Sequence, residues 1–369
     1  MKPAVPFSLH HFSGNHHEIG LQHGQAFRKE LQDIEHIVLR RIVKFASLKR
    51  FILRYLGEKM LPCLPDEYVQ EMKGIAVGGK IPFETVYFLN LLPTVASCLP
   101  VTMIRKYFLN LVPEVAACSL VALSGRRTRE RGILIGRNLD FGFAAIFQKL
   151  IRFAVYRPKG GHAFFTITFP GFIGVLTAYS EKGVFFCESS IDCSRTDPKA
   201  MPAVFLFRRA LERAGSLEEL QSHLIQEKRS GEFNVFLANR ARAVHLELAL
   251  LDYRTQRLEE KDILYAANHF FSKDLWRASW KRAGRNPFID SRQRIFEDYW
   301  AHDPENQEVS DVAAFMKRLS ERSKSTSQTV YSLVIELDSL TGLIACQPGI
   351  PVAEQSYRPF DLAGIFERV

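Results

Sequence analysis

Three residues with complementary chemistry, Cys118, Arg137 and Asp140, lie close together in the sequence, within residues 117–143. A cysteine attacks a carbonyl group as the thiolate, and a nearby positive charge lowers the pKa of the thiol. A guanidinium keeps its proton and can supply that charge, while a carboxylate can hold and orient an amine. The combination predicts nucleophilic acyl-transfer chemistry with Cys118 as the attacking group.

A β-hairpin is the element expected to bring these residues together. Two short apolar runs, residues 118–123 and 132–136, flank a charged, turn-prone insert. Such runs with such a boundary predict paired strands. With the turn centred near Thr128, antiparallel pairing places Cys118 opposite Asn138, to within about two residues.

The alternation of side chains along a strand constrains this arrangement. Arg137 and Asp140 are three positions apart and are therefore expected on opposite faces of a regular strand. A β-bulge or a strong local twist is required if both side chains are to approach Cys118.

Two groups of motifs resemble a known superfamily. The segment CSLVAL followed by GRNLDF resembles the N-terminal nucleophile (Ntn) cysteine hydrolases, in which a cysteine opens the mature chain and a G-R-[NT]-x-D element follows on the next strand. The segments HEIGLQHGQ and EMKGIAVGGKIPFETVYFLNLL resemble its penicillin acyltransferase branch, the acyl-CoA:6-aminopenicillanic-acid acyltransferase-like or linear amide C–N hydrolase family. In that branch a helical pro-segment that begins with G-x-x-H-G ends just before the nucleophile.

The resemblance implies a fold and a division of the chain. Residues 1–117 would form the helical pro-segment, which becomes the small subunit after cleavage, and residues 118–369 the catalytic domain. The fold class would be α+β, a four-layer αββα Ntn-hydrolase sandwich with two mainly antiparallel sheets. The stretch 94–114 looks longer and more apolar than the family pattern, and we interpret it as an insertion near the processing site.

The resemblance also implies roles for the residues named above. Cys118 would be the nucleophile, Arg137 its electrostatic neighbour and Asp140 the partner of a new α-amine. That amine appears when the bond between Ala117 and Cys118 is cut. The thiol would attack the carbonyl of Ala117, and the resulting thioester would hydrolyse. The α-amine, with a reference pKa near ~8, would then act as the general base.

Four residues complete the expected site. Asn268, in YAANHF, resembles the asparagine that faces the oxyanion in relatives, although a turn asparagine that caps the backbone accounts for it equally well. Arg294, in SRQRIF, resembles an S-x-x-R arginine that supports the site; the alternative is a solvent-facing helix residue. Ser180 stands where the family has a longer asparagine donor. We expect Ser180 and Asn138 to contact the substrate.

Hydrophobic periodicity in the rest of the chain predicts an α+β protein. Helices are predicted at residues 65–77, 82–92, two within 203–229, 291–299 and 311–320. Strands are predicted at residues 150–156, 163–169, 183–189, 234–238, 244–248, 263–267, 329–337 and 343–346. The turns between the strands are too short for parallel crossovers, which favours antiparallel sheets.

A basic amphipathic helix is predicted at residues 37–56, where apolar residues recur every three or four positions among lysines and arginines. Two interpretations fit this pattern. The helix packs on its own protein, or it lies on an anionic membrane surface.

Composition limits the possible partners. The chain has 369 residues, is 47% apolar and carries a formal net charge of +9. The positive charge permits an acidic partner, but the sequence has no zinc-finger spacing and no RNA-binding aromatic signature, so nucleic acid is not expected. The six cysteines are scattered and no apolar N-terminal run resembles a signal peptide, which predicts a cytoplasmic protein.

No metal or cofactor is expected. His16, His17 and His23 are the densest group of possible ligands, but no carboxylate or cysteine stands beside them at ligand spacing. The proposed acyl transfer needs neither a metal nor a prosthetic group.

These observations predict an autoprocessed N-terminal-cysteine hydrolase or acyltransferase that cleaves or exchanges linear amide bonds through an acyl-thioester on Cys118. Water as acceptor gives an amidase, and an amine gives an acyltransferase. The expected substrate is a small-molecule amide or an acyl-CoA-like compound, including a lipid amide. A peripheral contact with a membrane is also expected, as is association of the two cleaved fragments with each other. Two alternatives stay open: a catalytically silent Ntn-like binding protein, suggested by Ser180, and a membrane-surface protein that uses residues 37–56.

Overall fold

The computed structural model describes residues 8–36, 43–98, 118–141, 144–191, 197–283, 291–302, 304–322 and 328–367. Ala117 and most of the unusual stretch 94–114 lie outside the described residues. Within the described ranges, two β-sheets face each other and helices cover their outer sides.

The strands are, in chain order, β1 Leu9–Gly14, β2 Ser119–Leu123, β3 Leu134–Phe141, β4 Arg152–Pro158, β5 Phe164–Thr168, β6 Thr177–Ser180, β7 Phe185–Ser190, β8 Phe233–Ala238, β9 Ala243–Leu248, β10 Tyr253–Arg257, β11 Ile263–Ala266, β12 Gln328–Glu336, β13 Thr341–Ala345 and β14 Arg358–Asp361. The larger sheet has the order β1-β4-β5-β6-β7-β8-β9-β10, and the smaller has the order β11-β2-β3-β12-β13-β14. All described strand pairs are antiparallel except β1 with β4.

The helices are α1 His16–Ala26, α2 Arg28–Asp33, α3 Val43–Ile52, α4 Glu58–Met60, α5 Asp66–Gly79, α6 Phe83–Cys98, α7 Ala144–Leu150, α8 Ala203–Arg213, α9 Leu217–Gln226, α10 Lys273–Ala283, α11 Ser291–Ala301 and α12 Val309–Arg322. A π-helical turn, Leu53–Gly57, joins α3 to α4. Asn15 caps α1 through a capping box with Glu18, and Ser216 caps α9, because a side-chain oxygen at this position accepts a free N–H of the first turn.

The packing confirms the four-layer αββα sandwich. Helix α8 lies on the outer side of the larger sheet, where Phe207 contacts Phe186 and Phe233. Helices α11 and α12 lie on the outer side of the smaller sheet, where Ile295 and Met316 join its apolar residues. The main hydrophobic core includes residues between the sheets and extends to the helices that cover the larger sheet. Alternate residues of each inner strand are apolar, so burial of those residues drives the stacking.

The predicted strands and helices are present, with ends shifted by a few residues, but the pattern missed several elements. The missed elements are strands β1, β6, β10 and β14 and helices α7 and α10. The most consequential of these is β1. Residues 1–117 were expected to be helical, yet β1 pairs in parallel with β4 and completes one edge of the larger sheet.

Two helices of the N-terminal segment cross at unusually short distance. Gly20 and Gly24 on α1 face α5, where a Cβ on Gly24 would lie 2.4 Å from the carbonyl oxygen of Ile75. The contact is reciprocal, because a Cβ on Gly78 would lie 2.4 Å from the carbonyl oxygen of Leu21. Glycine is therefore required on both helices, and the two glycines of the G-x-x-H-G motif are explained by helix packing.

The basic helix predicted at residues 37–56 is described from residue 43. Its residues Ile52 and Leu56 are buried in the main core. Lys49 donates to Thr85 on α6 at 2.6 Å and lies 3.3 Å from Glu35. These contacts favour the interpretation that the helix packs on its own protein. Within the described residues, no helix combines the length and the apolar character needed to cross a membrane.

Candidate active site

The predicted hairpin is formed by β2 and β3, and its register is within one residue of the expected one. Ser119 pairs with Asn138, so Cys118, directly before β2, lies level with the next residues of β3. Cys118 is 2% exposed and belongs to the core between the sheets. Its sulfur lies 4.0 Å from the backbone oxygen of Asp140.

Arg137 faces the same inter-sheet space as Cys118 and is fully buried. Its guanidinium donates to the backbone oxygen of Glu188 on β7 at 2.5 Å, and lies 3.4 Å from the carboxylate of Glu188. The guanidinium carbon is 6.0 Å from the ring centre of Tyr331 on β12. An arginine buried in this way is held in one orientation, with its charge compensated by a carboxylate of the opposite sheet.

Asp140 approaches Cys118 from the other face of the hairpin. Its carboxylate lies 3.5 Å from Arg292 on α11. Arg292 also donates to the backbone oxygen of Cys118 at 2.8 Å and to Ser119 at 3.3 Å. The sulfur of Cys118 thus contacts the backbone oxygen of Asp140, whereas the Asp140 carboxylate pairs with Arg292.

The strand pairing is irregular at this point. Asp140 pairs with Thr329 and Leu139 with Tyr331, so one residue of β12 is inserted between two consecutive pairs. The inserted residue lies on β12 and not on β3, so Arg137 and Asp140 stay on opposite faces of β3, as strand alternation predicts.

The surroundings of the Cys118 thiol raise its pKa. Burial raises the pKa of the Cys118 thiol to about 12, although Arg137 acts to lower it. Glu188 and Asp140 add to the increase, because two nearby carboxylates disfavour a third negative charge. Burial also raises the pKa of the Glu188 carboxyl, with Arg137 acting against it. With this pKa the thiol is protonated at neutral pH.

Asn268 is part of the same hydrogen-bond network. Its Nδ2 donates to the backbone oxygen of Ser190 at 2.7 Å and to the hydroxyl of Ser189 at 3.2 Å. Its Oδ1 accepts from Arg292 at 3.0 Å. Asn268 is thus connected through Arg292 to the backbone of Cys118.

The structure places the other predicted residues away from the thiol. Arg294 is an exposed residue of α11, whereas Arg292, two positions earlier, points into the site; a difference of two residues moves a side chain about 200° around a helix. Asn138 donates to the backbone oxygen of Met316 on α12, because it alternates with Arg137 and faces the outer helices. Neither Arg294 nor Asn138 therefore takes the position expected from the sequence.

Ser180 is also remote from Cys118. It ends β6, and its hydroxyl accepts the N–H of Lys182 in the following turn. The opposite end of β6 is the one near the site, since Thr177 hydrogen-bonds the hydroxyl of Tyr331 at 2.9 Å. Ser180 lies three positions after Thr177, which is roughly 10 Å along the strand.

Sequence reasoning missed Glu188, Tyr331 and Arg292. Glu188 could have been noticed as a carboxylate that follows the apolar run VFFC within a strand, since a buried acid needs a buried partner. Tyr331 and Arg292 have no such signal, because an aromatic strand residue and a helix arginine are common.

The described residues include no group of three or more histidine, cysteine, aspartate or glutamate side chains that could hold a metal ion. Of the histidines considered as ligands, His16 contacts Glu71 at 2.6 Å and His23 contacts the hydroxyl of Tyr156 at 2.8 Å. Both belong to buried polar networks.

Curated relatives match part of the chain. The Dictyostelium discoideum protein dcd1A is 26% identical over 251 residues, which are 59% of this chain and 52% of that protein. An uncharacterized protein of Archaeoglobus fulgidus is 21% identical over 304 residues, 73% of this chain and 51% of that protein. The chain thus spans about half the length of these relatives.

Solved structures with a related arrangement have low sequence identity. A Caenorhabditis elegans N-acylethanolamine-hydrolyzing acid amidase ortholog has a TM-score of 0.45 and 13% identity, covering 66% of this chain and all (100%) of that one. A mutant conjugated bile acid hydrolase from Clostridium perfringens has a TM-score of 0.45 and 12% identity over 66% of this chain and 92% of its own. Penicillin V acylase from Agrobacterium tumefaciens has a TM-score of 0.45 and 11% identity over 67% and 86%.

A family comparison covers most of the candidate site. The sequence model described as acyl-coenzyme A:6-aminopenicillanic acid acyl-transferase matches residues 127–342. This range contains Arg137, Asp140, Glu188, Asn268 and Arg292 and begins nine residues after Cys118. Since the match spans more than half of the chain, the protein belongs to the acyl-coenzyme A:6-aminopenicillanic acid acyl-transferase family.

Proposed function

We propose that the protein is an autoprocessed N-terminal-cysteine amidase or acyltransferase that acts on small linear amides through a thioester on Cys118. One observation carries the proposal: a buried thiol lies between a guanidinium in the inter-sheet core and a carboxylate–guanidinium pair at its own backbone. Such a site is suited to activating the thiol once a base becomes available beside it.

The first step is removal of the preceding segment. The sulfur of Cys118 attacks the carbonyl carbon of Ala117, the C–N bond breaks, and the nitrogen leaves as an amine that takes up the thiol proton. Water then hydrolyses the thioester, giving a carboxylate on Ala117 and a free thiol. The proposed products are a small subunit of residues 1–117 and a catalytic subunit of residues 118–369, which stay associated.

Cleavage changes the electrostatics at the thiol. The new α-amine can accept the thiol proton, whereas the amide nitrogen that it replaces cannot. Asp140 orients the amine, and Arg292 keeps the backbone of Cys118 in place through its bond to the carbonyl oxygen. Arg137 stabilises the resulting thiolate from the opposite side.

The catalytic cycle uses the same groups. The thiolate attacks the substrate amide, the amine product leaves with a proton from the α-ammonium group, and water or another amine accepts the acyl group from sulfur. Asn268 is the proposed donor to the oxyanion. Both of its N–H groups are engaged, and the longer bond, 3.2 Å to Ser189, is the one that the oxyanion would replace.

Processing is tested by intact-mass analysis and N-terminal sequencing. We expect the purified wild-type chain to give two fragments, the larger beginning with Cys118, and Cys118→Ala to stay uncut. Cys346→Ala is the matched control, since Cys346 is also a free, buried thiol whose pKa burial raises to about 12; it should be cut like the wild type. Cleavage of the Cys118→Ala variant, or a larger fragment with a different first residue, would contradict the proposal.

Amide chemistry is tested on the cut protein with dodecanoyl p-nitroanilide, a linear amide. We expect release of p-nitroaniline together with a dodecanoyl mass increase on the larger fragment that hydroxylamine removes, as for a thioester. Added glycine as acceptor separates the two reaction types: N-dodecanoylglycine indicates acyl transfer, and dodecanoic acid alone indicates hydrolysis. Protein cut at Cys118 that forms no acyl adduct would instead indicate a silent binding protein.

A further inference from the structure

The loop between β5 and β6, residues 169–176, is held by side chains of the N-terminal segment. The N–H of Gly171 donates to Nε2 of His23 on α1 at 2.9 Å. Asn90 on α6 binds the same loop twice, donating to the oxygen of Gly171 at 2.7 Å and accepting the N–H of Ile173 at 2.8 Å. Both side chains are fully buried. We call this arrangement the loop clamp.

The hydrogen bonds determine the tautomer of His23. Because the Gly171 N–H donates to Nε2, the ring proton resides on Nδ1, which donates to the hydroxyl of Tyr156 at 2.8 Å. Burial lowers the pKa of His23 to about 3, so the ring is neutral and accepts this bond throughout the physiological pH range.

Arg208 on α8 supports the loop clamp from the catalytic segment. It donates to the oxygen of Ile173 at 2.9 Å. The same guanidinium forms two bonds of 2.7 Å to Glu71 on α5 and one of 2.7 Å to Glu212. Such a forked ion pair restricts the guanidinium to one plane. Arg208 thereby joins Glu71 of the N-terminal segment to the loop.

The loop backbone is adapted to this contact. Gly171 has φ of +82°, which side-chain-bearing residues rarely adopt, and a Cβ there would lie 2.9 Å from both Leu31 and Leu89. At Gly171 the loop backbone therefore packs directly against Leu31 and Leu89 of the N-terminal helices.

Both ends of the loop are connected to the residues around Cys118 through intermediate contacts. At one end, the ring of Phe169 packs edge-on against Phe147 at 5.4 Å, and Phe147 against Phe141, the residue after Asp140, at 4.9 Å. At the other end, the oxygen of Leu176 accepts the N–H of Glu188 at 3.2 Å. Glu188 in turn accepts the bond from Arg137.

We propose that His23 and Asn90 are positioning residues. By holding residues 169–176, they keep the apolar side chains of this loop in place, and these side chains form a wall for the acyl group near Cys118. The role of the wall rests on the proposed function, whereas the clamp itself does not. The N-terminal segment is then a working part of the enzyme after cleavage, and the histidine of the G-x-x-H-G motif acts through the loop.

The clamp is tested first by hydrogen exchange, which needs no activity. In the cut full-length protein, His23→Leu removes the acceptor for Gly171, and we expect amide exchange in residues 169–176 to accelerate at least tenfold. His23→Gln restores an acceptor and should exchange within threefold of the wild type. Asn90→Ala is an independent variant with the same expected acceleration, and it carries the test if His23→Leu does not fold.

Thr85→Val is the matched control. Thr85 is a fully buried polar residue of α6, like Asn90, but it bonds Lys49 and Glu35 within the N-terminal segment and has no bond to the loop. In Thr85→Val, amide exchange in residues 169–176 should proceed at the wild-type rate. Unchanged exchange in His23→Leu and Asn90→Ala, or equal acceleration in all three variants, would overturn the clamp.

The positioning role is tested by two reagents that label Cys118. With dodecanoyl chloromethyl ketone, we expect the concentration for half-maximal labelling rate to rise about tenfold in His23→Leu and Asn90→Ala, with the limiting rate within threefold. Iodoacetamide, which needs no wall, should react at the wild-type rate. An unchanged half-maximal concentration despite faster exchange would overturn the positioning role. If the ketone does not label Cys118 in the wild-type protein, the proposed function and the role of the wall are overturned. The hydrogen-exchange result would still show whether His23 and Asn90 hold residues 169–176.

Discussion

Arg292 is the residue through which the parts of the site are connected. Its guanidinium contacts the backbone of Cys118, the carboxylate of Asp140 and the amide of Asn268. It is 6% exposed, so each of these contacts is largely screened from water and correspondingly strong. The family resemblance indicated an arginine in this helix, and the structure shows which arginine faces inward.

Replacing Arg292 should therefore disable processing and catalysis. In Arg292→Gln, Asp140 loses its ion pair and the carbonyl of Cys118 loses a charged donor. We expect the rates of self-cleavage and of acylation of Cys118 to fall about a hundredfold or more, measured by intact mass over time. Arg294→Gln is the control, being an exposed residue one half-turn away, and should stay within about twofold of the wild type. Equal losses in the two variants would show that Arg292 has no special role.

At the scale of elements, the crossing of α1 and α5 supports both the fold and the loop clamp. Gly20 and Gly24 of α1 alternate with Gly74 and Gly78 of α5, so the two backbones touch without intervening side chains. The contact sets the position of α1, which carries His23. The glycine spacing was visible in the sequence as a family motif, but its physical reason becomes apparent only when the two helices are seen together.

Gly24→Ala should destabilise the protein markedly. The added Cβ would lie 2.4 Å from the oxygen of Ile75 and 2.7 Å from the nitrogen of Gly79, and backbone atoms cannot yield as a flexible side chain does. We expect a loss of about 2–3 kcal/mol in the free energy of unfolding, measured by urea titration. Val77→Ala on α5 is the control, because Val77 is 63% exposed, and its change should be within about 0.5 kcal/mol. A small effect of Gly24→Ala would indicate that the helices can separate without cost.

At the scale of the whole molecule, the described residues before Cys118 and those after it share one interior. Strand β1 belongs to the larger sheet, and His23, Asn90 and Glu71 all bond residues beyond position 118. These contacts are buried and polar, so separating the segments would expose unpaired groups in the interior. The proposed cleavage before Cys118 would therefore cut the chain without releasing the first fragment.

Buried neutral histidines make the stability of this interior sensitive to acid. Burial lowers the pKa of His23 and of His245 to about 3 in the folded protein, against an ordinary value of 6.5. The unfolded chain binds these protons near pH 6.5 and the folded chain does not, so their contribution to stability is complete above pH 6.5. It is lost as the pH falls from 6.5 towards 3, by up to about 1.4 kcal/mol per pH unit for each histidine.

This pH dependence can be measured with His23→Gln, which keeps a hydrogen-bond acceptor but does not titrate. We expect the free energy of unfolding, from urea titrations at pH 7, 6 and 5, to decrease with acidification in both proteins. The decrease should be smaller in His23→Gln by the contribution of one proton, about 1.4 kcal/mol per pH unit below pH 6. Identical slopes would mean that His23 is not held neutral in the folded state.

The sequence by itself determined the hairpin, the register of Cys118 within one residue, and the four-layer fold through the family motifs. It also showed that strand alternation puts Arg137 and Asp140 on opposite faces. These follow from periodicity and from motifs that are local in the chain. Only the tertiary structure decided that Asn138 faces the outer helices, that Ser180 lies at the far end of its strand, and that Glu188 faces Arg137. Arg137 and Glu188 are 51 positions apart, and Arg292 and Cys118 are 174 apart. Which side chains meet across two sheets depends on how the layers stack, and no local pattern records that.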